Sequence, residues 1–407
     1  MCQPSSAAGS PPPRVGIRSP FGKHSTASGL AARVQCHRSS RRGCSTRAEG
    51  TMQYLGIDVH SQASVWCLLG EDGEIRARGK VETTAPALGE LVSELAKQDR
   101  LRVGQEVGTM AYLVNDAVAG AGVEILSFNA YQLRMIASSR KKTDRRDAYW
   151  IARALQTGMY PHPVYLPTGA IRELRALLSR RRMIQGERNR WQVRARCALR
   201  ASGYKVRTGG HALRTALDEL LASPQGIDGH LGDLLELCQR QEAALSLEQR
   251  QTEAALREGA RALDAIGRLQ TIPGVGALTA TTVYAWVGDV RRFPDAKALA
   301  AYAGLVPSVR QSGDAQRLGS ITKTGSKALR STLVQAAHVL MHRCRGADAI
   351  PLQAIGARVH TSRGRRKIAT VALARHLLRI AYYILRDGTL YDPKRLRVEL
   401  DDAQHAA

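Results

Sequence analysis

Residues 53–158 alternate between short apolar strands and amphipathic helices, and this alternation limits the fold more than any other feature of the chain. Three strands come first, and a Glu71-Asp72-Gly73 turn precedes the third. Two strand–helix units then follow, and a further helix completes the region. The predicted strands are Tyr54–Val59, Ser64–Leu69, Ile75–Thr83, Leu101–Val107 and Val123–Phe128. The resulting order, βββαβαβα, predicts one mixed α/β sheet.

An opening meander followed by βαβ units is the layout of an RNase H/RuvC-like fold, which we assign to the first domain. After it, two long segments near Ile171–Ala201 and Gly232–Leu269 are dense in helix formers, which favours a helical hairpin or coiled coil. The predicted domains are 52–160 (RNase H/RuvC-like), 170–268 (helical coiled coil), 269–390 (C-terminal, mostly α-helical) and 391–407 (tail).

The first 51 residues differ in composition from the rest of the chain and predict a disordered basic tail. They are rich in Ser, Pro, Gly and Arg, and Glu49 is the one acid among them. An organelle transit peptide and a basic arm are two functional interpretations. We favour a third, in which the segment is not native coding sequence, because Met52 stands directly before the first predicted strand.

The chain carries a large excess of positive charge. Sixty Lys and Arg residues face 35 Asp and Glu residues, a formal net charge of +25. Nucleic acid is the usual partner of such a chain, because each neutralised phosphate releases counterions. No run approaches the ~20 apolar residues that span a bilayer. Seven cysteines without a CxxC pair favour a reducing cytoplasm over a zinc ribbon or a disulfide framework.

Two predicted strands of the first domain end in a carboxylate. Asp58 ends the first strand in Gly56-Ile57-Asp58-Val59-His60, and Glu106 ends the fourth. A carboxylate on a buried strand is costly unless it is paired or bound to a metal. Because these two strands are parallel neighbours in this fold, we expect Asp58 and Glu106 to lie side by side at the carboxyl edge of the sheet.

Two more acids stand at the start of the last helix of this domain. Asp144 and Asp147 have the i, i+3 spacing that places both on one helix face. Packed over the sheet edge, this helix would complete a group of four carboxylates, and such like charges stay close only when cations separate them. Oxygen ligands suit Mg²⁺ or Mn²⁺, which catalyse phosphodiester displacement. The alternative for Asp144 is a helix cap.

The predicted C-terminal domain opens with Ile272-Pro273-Gly274-Val275-Gly276, a helix-hairpin-helix-like pattern. Amides at the start of the following helix can hold a phosphate, and a plain interhelical turn is the alternative. A Gly/Ser/Lys-rich loop is predicted at Val306–Lys327. The residues predicted to contact nucleic acid in this domain are Pro273, Gly274, Gly276, Arg310, Arg317, Lys323, Lys327 and Arg330.

The same loop contains four serines beside basic residues. Basic groups near a serine can steer a phosphate and stabilise a pentacovalent transition state. Serines are common in loops, however, and nothing in the local sequence makes one of them a nucleophile. The four are Ser308, Ser312, Ser320 and Ser326.

The acidic motifs resemble the DEDD motif of insertion-sequence-110-type transposases, which Piv-type DNA invertases share. The second half of the chain resembles the C-terminal transposase domain of the same family, so the resemblance covers about residues 53–390. The stretches that carry it are Gly56-Ile57-Asp58-Val59-His60, Gln105-Glu106-Val107-Gly108, Lys142-Thr143-Asp144-Arg145-Arg146-Asp147-Ala148, Ile272-Pro273-Gly274-Val275-Gly276, Ala303-Gly304-Leu305-Val306-Pro307, Gln311-Ser312-Gly313 and Lys323-Thr324-Gly325.

This resemblance implies a transposase or site-specific recombinase that cuts and rejoins DNA, with a catalytic serine beside the Mg²⁺ (or Mn²⁺) site. The family's Ser-Gly motif maps best to Ser312, and Ser308 is the second choice. It further implies DNA as partner, a structured guide RNA, and a bacterial, nucleoid-associated location in the cytoplasm. A homodimer or tetramer is expected because synapsis joins two duplexes. The implied metal ligands are Asp58, Glu106, Asp144 and Asp147.

Two other functions stay open. A hydrolytic, RuvC-like structure-specific DNA endonuclease would use the four acids alone and form no protein–DNA adduct. A nucleic-acid-binding protein with a degenerate site would be unaffected by Asp144→Ala, although the presence of all four acids argues against it.

Overall fold

The computed structural model describes most of the chain after residue 50. The described residues are 51–136, 144–223, 227, 229–312 and 315–394, with the backbone alone given at 134–136, 309–312 and 315–318. Residues 1–50 of the predicted N-terminal tail and 395–407 of the predicted C-terminal tail lie outside this description. The chain divides between Leu166 and Pro167 into two compact units.

The first unit is built on a mixed sheet. Its elements are β1 (Met52–Asp58), β2 (Ala63–Leu69), β3 (Ile75–Glu82), α1 (Ala85–Ala96), β4 (Arg100–Glu106), α2 (Ala111–Gly120), β5 (Glu124–Phe128), α3 (Ala130–Ile136) and α4 (Asp144–Thr157). In the described residues the sheet has five strands in the order β3-β2-β1-β4-β5. β1, β4 and β5 are parallel, and β2 is antiparallel to both β1 and β3. The predicted mixed α/β sheet is confirmed, and its order is consistent with an RNase H-like domain.

Helices cover both faces of this sheet. Because successive strand residues point to opposite faces, Leu55 and Ile57 of β1 face the buried residues of α1 and α2, such as Leu88 and Val114. The opposite face belongs to α4. Its Ala148 and Ala152 pack with three buried residues of β2, namely Val65, Cys67 and Leu69.

Two glycines of the sheet allow α4 to lie directly on it. A Cβ atom at Gly56 of β1 would come within 2.1 Å of the Ala148 carbonyl oxygen and 2.5 Å of the Ala152 nitrogen. A Cβ at Gly104 of β4 would come within 2.8 Å of Leu155 Cδ1. The absence of these side chains lets the helix backbone approach the strands closely.

The second unit is mostly helical. Its helices are α5 (Gly169–Ala201), α6 (Gly210–Ala222), α7 (His230–Arg261), α8 (Asp264–Gln270), α9 (Ala277–Val287), α10 (Ala296–Tyr302), α11 (Lys327–Arg343), α12 (Ile350–Arg363) and α13 (Arg366–Asp387). Short 3₁₀ turns lie at Val290–Arg292 and Ala347–Ala349. The predicted regions 170–268 and 269–390 both fall in this unit, and the boundary between them stays a prediction.

The two longest helices pack against each other in antiparallel directions. Arg181 of α5 is paired with Glu253 of α7, whereas Arg188, further along α5, is paired with Glu242, earlier in α7. The predicted second long helix, Gly232–Leu269, is wrong at its C-terminal end, because the helix stops at Arg261 and a separate helix, α8, follows. Leu263 has non-helical backbone angles between α7 and α8, and Asp264 begins α8, where a carboxylate favours a new helix start.

The predicted loop at Val306–Lys327 is also wrong in part. Its residues form an antiparallel hairpin of β6 (Pro307–Ser312) and β7 (Ala315–Ile321). Residues 313 and 314 lie outside the described residues, but in the sequence Gly313-Asp314 is a pair typical of two-residue hairpin turns. The pair therefore indicates a hairpin, whereas the high content of Gly, Ser and Lys in the whole segment favours a loop.

The helix α13 is, within the described residues, the one that is long and apolar enough to cross a membrane by length and composition. Its Leu373, Leu377 and Leu378 are fully buried in the core of the second unit. Packing in this core accounts for its apolar character.

His376 of α13 should make the second unit less stable in mild acid. Burial, with repulsion from Arg379, Arg375 and Arg358, lowers the pKa of His376 to about 4, against about 6.5 in an unfolded chain. From pH 6.5 down to 4 the unfolded chain takes up a proton that the folded chain does not. The free energy of unfolding therefore decreases as the pH is lowered from 6.5 to 4, by at most about 3 kcal/mol from this group.

His376→Gln should flatten this pH dependence, as measured by urea unfolding at pH 7 and pH 4.5. His230→Gln, at an exposed position, is the matched control. An unchanged pH dependence in the His376 variant would show that other groups cause the acid sensitivity.

Candidate active site

The carboxyl edge of the five-stranded sheet holds the first two predicted acids. Asp58 is the last residue of β1 and Glu106 the last of β4. The register pairs Ile57 with Gln105 in parallel strands, so the residues that follow emerge next to each other. Both are half-buried. The sequence predicted this placement from the strand ends alone.

The N-terminus of α4 brings the other two acids to the same edge. Because Ala148 lies directly on Gly56, Asp147 and, one turn earlier, Asp144 reach the end of β1. Asp144 is the first residue of α4 and is exposed, whereas Asp147 is half-buried. The preceding motif residues 141–143 lie outside the described residues.

The electrostatics of Asp58 show that the other three carboxylates lie close enough to act on it. Burial raises the pKa of Asp58, and repulsion from Asp147, Asp144 and Glu106 raises it further, while nearby His60 lowers it. A carboxylate in such surroundings is held in its charged form most readily by a cation. The structure thus brings all four predicted acids together.

His60 is a site residue that the sequence analysis missed. Its Nε2 lies 3.2 Å from Asp58 Oδ2 and 3.4 Å from Asp144 Oδ2, and thus joins the end of β1 to the start of α4. The available signal was a histidine two residues after the strand-end aspartate. Only the position of α4 shows that this imidazole lies between two of the acids.

This group fits a divalent metal ion. One ligand atom each from Asp58, His60 and Asp144 lie within 4.8 Å of one another, a group of the size that a single ion requires. The carboxylate oxygens of this group are ligands that Mg²⁺ and Mn²⁺ prefer, and the imidazole between them is placed to hold two of these oxygens in position.

Buried hydrogen bonds fix the end of β4. Gln105 is fully buried, and its Nε2 donates to the Ala111 carbonyl and to Ser127 Oγ, both at 3.0 Å. These bonds join β4 to the start of α2 and to β5. Glu106 therefore emerges from a rigid strand end, as a preorganised ligand must.

The second unit contains the segment with the helix-hairpin-helix-like pattern, which forms the turn between α8 and α9. Gly274 has φ +84° in the turn between α8 and α9, and a Cβ there would lie 2.9 Å from Leu340 Cβ of α11. Gly276 is exposed at the N-cap of α9 and makes no side-chain cap bond. The first amides of α9 are thus available to an anion. Pro273 is half-buried beside them.

The remaining predicted residues of the second unit lie on or beside the β6–β7 hairpin. The backbone of Ser312 ends β6 opposite Ala315, and a Cβ at Gly319 would lie 2.5 Å from Ser308 Oγ. The side chains of Arg310, Ser312 and Arg317 lie outside the description.

Three further predicted cations are fully described. Lys323 has φ +56°, and Lys327 begins α11 after its N-cap Ser326. Arg330 Nη1 donates to the Ala303 carbonyl at 3.0 Å and to the Thr324 carbonyl at 3.4 Å. Arg330 therefore holds the segment around Thr324 against Ala303.

Two of the motifs that carried the family resemblance pack backbone against backbone. A Cβ at Gly304 would lie 2.2 Å from the Thr324 carbonyl oxygen, and a Cβ at Gly325 would lie 1.9 Å from the Tyr302 carbonyl oxygen. Both glycines have positive φ. The Ala303-Gly304-Leu305 and Lys323-Thr324-Gly325 motifs therefore form one packed corner.

Two family models match the chain. The model for DEDD transposases of the IS110 type matches residues 55–202, which include the four acids. The model described as "Transposase IS116/IS110/IS902 family" matches residues 267–350, from α8 to the start of α12.

Relatives of known description support the same assignment. A "Probable family 20 transposase" of Pseudomonas aeruginosa is 30% identical over 266 residues, 62% of this chain and 75% of its own length. The "Transposase for insertion sequence element IS1111A" of Coxiella burnetii is 29% identical over 304 residues, 72% of this chain and 79% of its own. A "Pilin gene-inverting protein" of Moraxella lacunata is 34% identical over 127 residues, 31% of this chain and 38% of its own. The chain therefore belongs to the IS110 family of transposases, enzymes that act on DNA.

Proposed function

We propose that this transposase is a site-specific recombinase whose phosphodiester chemistry takes place at the carboxyl edge of its five-stranded sheet. The observation that supports this most is the convergence of three other carboxylates on Asp58. Asp58, Glu106, Asp144 and Asp147 would hold Mg²⁺ or Mn²⁺, with His60 beside them. Ions bound there would supply positive charge for the reacting phosphate and for the leaving oxygen.

The residues of the chain have separate tasks in this proposal. Asp58 and Glu106 are carried by rigid strand ends, so they provide the fixed half of the site. Asp144 and Asp147 are carried by α4, whose distance from the sheet is set by Gly56. His60 orients one oxygen of Asp58 and one of Asp144.

We assign the nucleophile to Ser312, on the strength of its match to the family's Ser-Gly motif. Its Oγ would form a bond to phosphorus while the bond from phosphorus to a DNA oxygen breaks. The serine proton passes to solvent or a base, and the leaving DNA oxygen takes one up. Attack by a new DNA hydroxyl on the serine ester reverses these steps and rejoins the strand. The name of the pilin gene-inverting relative fits such an exchange.

Trapping the protein–DNA adduct tests this assignment. An end-labelled DNA carrying an element junction should yield a denaturation-resistant adduct with the full chain. The adduct should disappear in Ser312→Ala, although DNA binding persists. Ser308→Ala is the matched control and should still form it.

Cleaved ends without any adduct would instead establish the hydrolytic, RuvC-like endonuclease. An adduct that persists in Ser312→Ala and disappears in Ser308→Ala would move the nucleophile to Ser308.

A structured guide RNA, a homodimer or tetramer, and a nucleoid location belong to the same proposal. The net charge of +25 supports a nucleic-acid partner, and the family resemblance supports the RNA and the assembly. RNA that copurifies with the chain and pairs with both element junctions would be the direct test.

His60→Ala should weaken Mn²⁺ binding by about 10–100-fold, the usual effect of removing a group that orients metal ligands. The loss follows from the contacts of Nε2 with both Asp58 and Asp144. Calorimetric titration of the metal-free chain measures it, and His162→Ala, at an exposed position of the same unit, is the control. Equal affinities in all three proteins would remove His60 from the site.

A further inference from the structure

The edge strand β3 carries a row of cations. Arg76, Arg78 and Lys80 are alternate residues of this strand, and all three are exposed. Alternate strand residues share one face, at a spacing of about 6.6–6.8 Å. The row is therefore a line of regularly spaced positive charges, comparable in spacing to the phosphates of an extended nucleic-acid strand.

This row lies on the same face of the sheet as the acidic centre. The register places Lys80 opposite Val65 and Val65 opposite Asp58, in one line across three strands. Paired residues of antiparallel strands share a face, and Val65 packs against α4. Lys80 is thus about 9–10 Å from Asp58 by strand spacing, the nearest of the three cations.

A groove runs between this row and α4. It encloses a cavity of about 540 Å³, whose lining includes Arg76, Arg78 and Lys80 together with Arg145 of α4. Val65, which is paired with Asp58, also belongs to this lining, so one end of the groove reaches the acidic centre. We call it the β3–α4 groove.

Most of the charge in this groove is not neutralised by the protein. Arg76 is paired with Asp72 at 2.6 Å. For Arg78, Lys80 and Arg145, the described part of the chain shows no ion pair or hydrogen bond. Three exposed cations beside a group of carboxylates would attract an anion that has to reach those carboxylates.

We propose that the β3–α4 groove binds the sugar–phosphate backbone of one DNA strand and leads it to Asp58 and Asp144. This inference rests on the proposed function of the acidic centre, because it supplies the strand on which that centre acts. The single row of cations fits one strand rather than a duplex. Contacts of the row with phosphates carry no sequence information, so this contact is independent of sequence.

Fluorescence anisotropy with a labelled, mixed-sequence 20-nucleotide DNA strand tests the groove in the full chain without divalent metal. Arg78→Gln with Lys80→Gln should weaken binding by about tenfold at low salt. It should also lower the slope of log affinity against log salt by about 1.4, at ~0.7 per phosphate contact. Arg100→Gln is the control, because Arg100 is exposed at the opposite end of the same sheet, and it should change neither quantity.

Photocrosslinking separates this groove from other basic surfaces. A strand containing 5-iodouracil should label peptides from β2 or β3 in the wild-type chain and not in the double variant. Unchanged affinity and salt slope, or labelling confined to the second unit, would overturn the proposal. In that case the cations would serve only to keep the edge strand from pairing with another sheet. If an RNA strand of the same sequence labelled the groove more strongly than the DNA strand, the proposal that DNA occupies the groove would be wrong.

The failure of the groove and the failure of the acidic centre have different signatures. The double variant should bind Mn²⁺ as the wild type does, because none of the acids is altered. Asp58→Asn should keep its single-strand affinity without metal. Cleavage by Asp58→Asn would therefore contradict the proposed function without bearing on the groove. Unchanged strand binding in the double variant would contradict the groove without bearing on the proposed function.

Discussion

Asp58→Asn should reduce DNA strand cleavage on the order of a thousandfold and should not destabilise the metal-free protein. The amide has the same shape as the carboxylate but carries no charge to hold a cation, and removal of one electrostatic group of this kind typically costs a factor of that size. In the metal-free chain the substitution removes a half-buried charge that three other carboxylates repel, which is why the pKa of Asp58 is raised. The substitution should therefore lower cleavage activity without lowering the stability of the metal-free protein.

Cleavage of an end-labelled DNA in Mg²⁺ measures the first effect, and thermal unfolding without metal measures the second. Glu90→Gln is the matched control, since Glu90 is an exposed acid of the same unit on α1, on the other face of the sheet. Cleavage within a few-fold of wild type would exclude Asp58 from the catalytic group.

Gly56→Ala should destabilise the first unit by about 3 kcal/mol, at the upper end of the usual cost of overpacking. The added Cβ would meet the Ala148 oxygen at 2.1 Å and the Ala152 nitrogen at 2.5 Å. Both are backbone atoms of α4, so no side-chain rotation relieves the clash and the helix must move. Because α4 carries Asp144 and Asp147, the movement should also weaken divalent-metal binding.

Urea unfolding and Mn²⁺ titration of the same samples measure both consequences. Gly89→Ala is the control: the nearest atom to its added Cβ is 3.8 Å away, and in the helix α1 an alanine should be neutral or stabilising by up to about 1 kcal/mol. A Gly56→Ala chain with wild-type stability and metal affinity would mean that α4 is not held at this distance by the strand.

The acids at the sheet edge could be predicted because each depends on local pattern. A buried strand that ends in Asp58 or Glu106, and the i, i+3 spacing of Asp144 and Asp147, are visible in the sequence itself. His60 was missed because its role depends on where α4 lies. The closeness of α4 in turn depends on Gly56, and a glycine in a strand does not by itself indicate which element covers it.

The errors in the second unit have a different origin. The β6–β7 hairpin was overlooked because turn-forming residues extend beyond Gly313-Asp314 into both strands. The break between α7 and α8 was overlooked because the sequence around Leu263 keeps its helix-forming composition. In both places tertiary packing decides between conformations that local composition leaves open.

Binding of Mn²⁺ to the metal-free full-length chain, followed by electron paramagnetic resonance, tests the central claim most directly because it needs no DNA substrate. We predict that the wild-type chain binds Mn²⁺, and that Asp58→Asn combined with Asp144→Asn lowers the affinity by about 100-fold or more. Asp72→Asn should bind Mn²⁺ as the wild type does. If the doubly substituted chain bound as many Mn²⁺ ions as tightly as the wild type, the acids at this sheet edge would not form a metal centre.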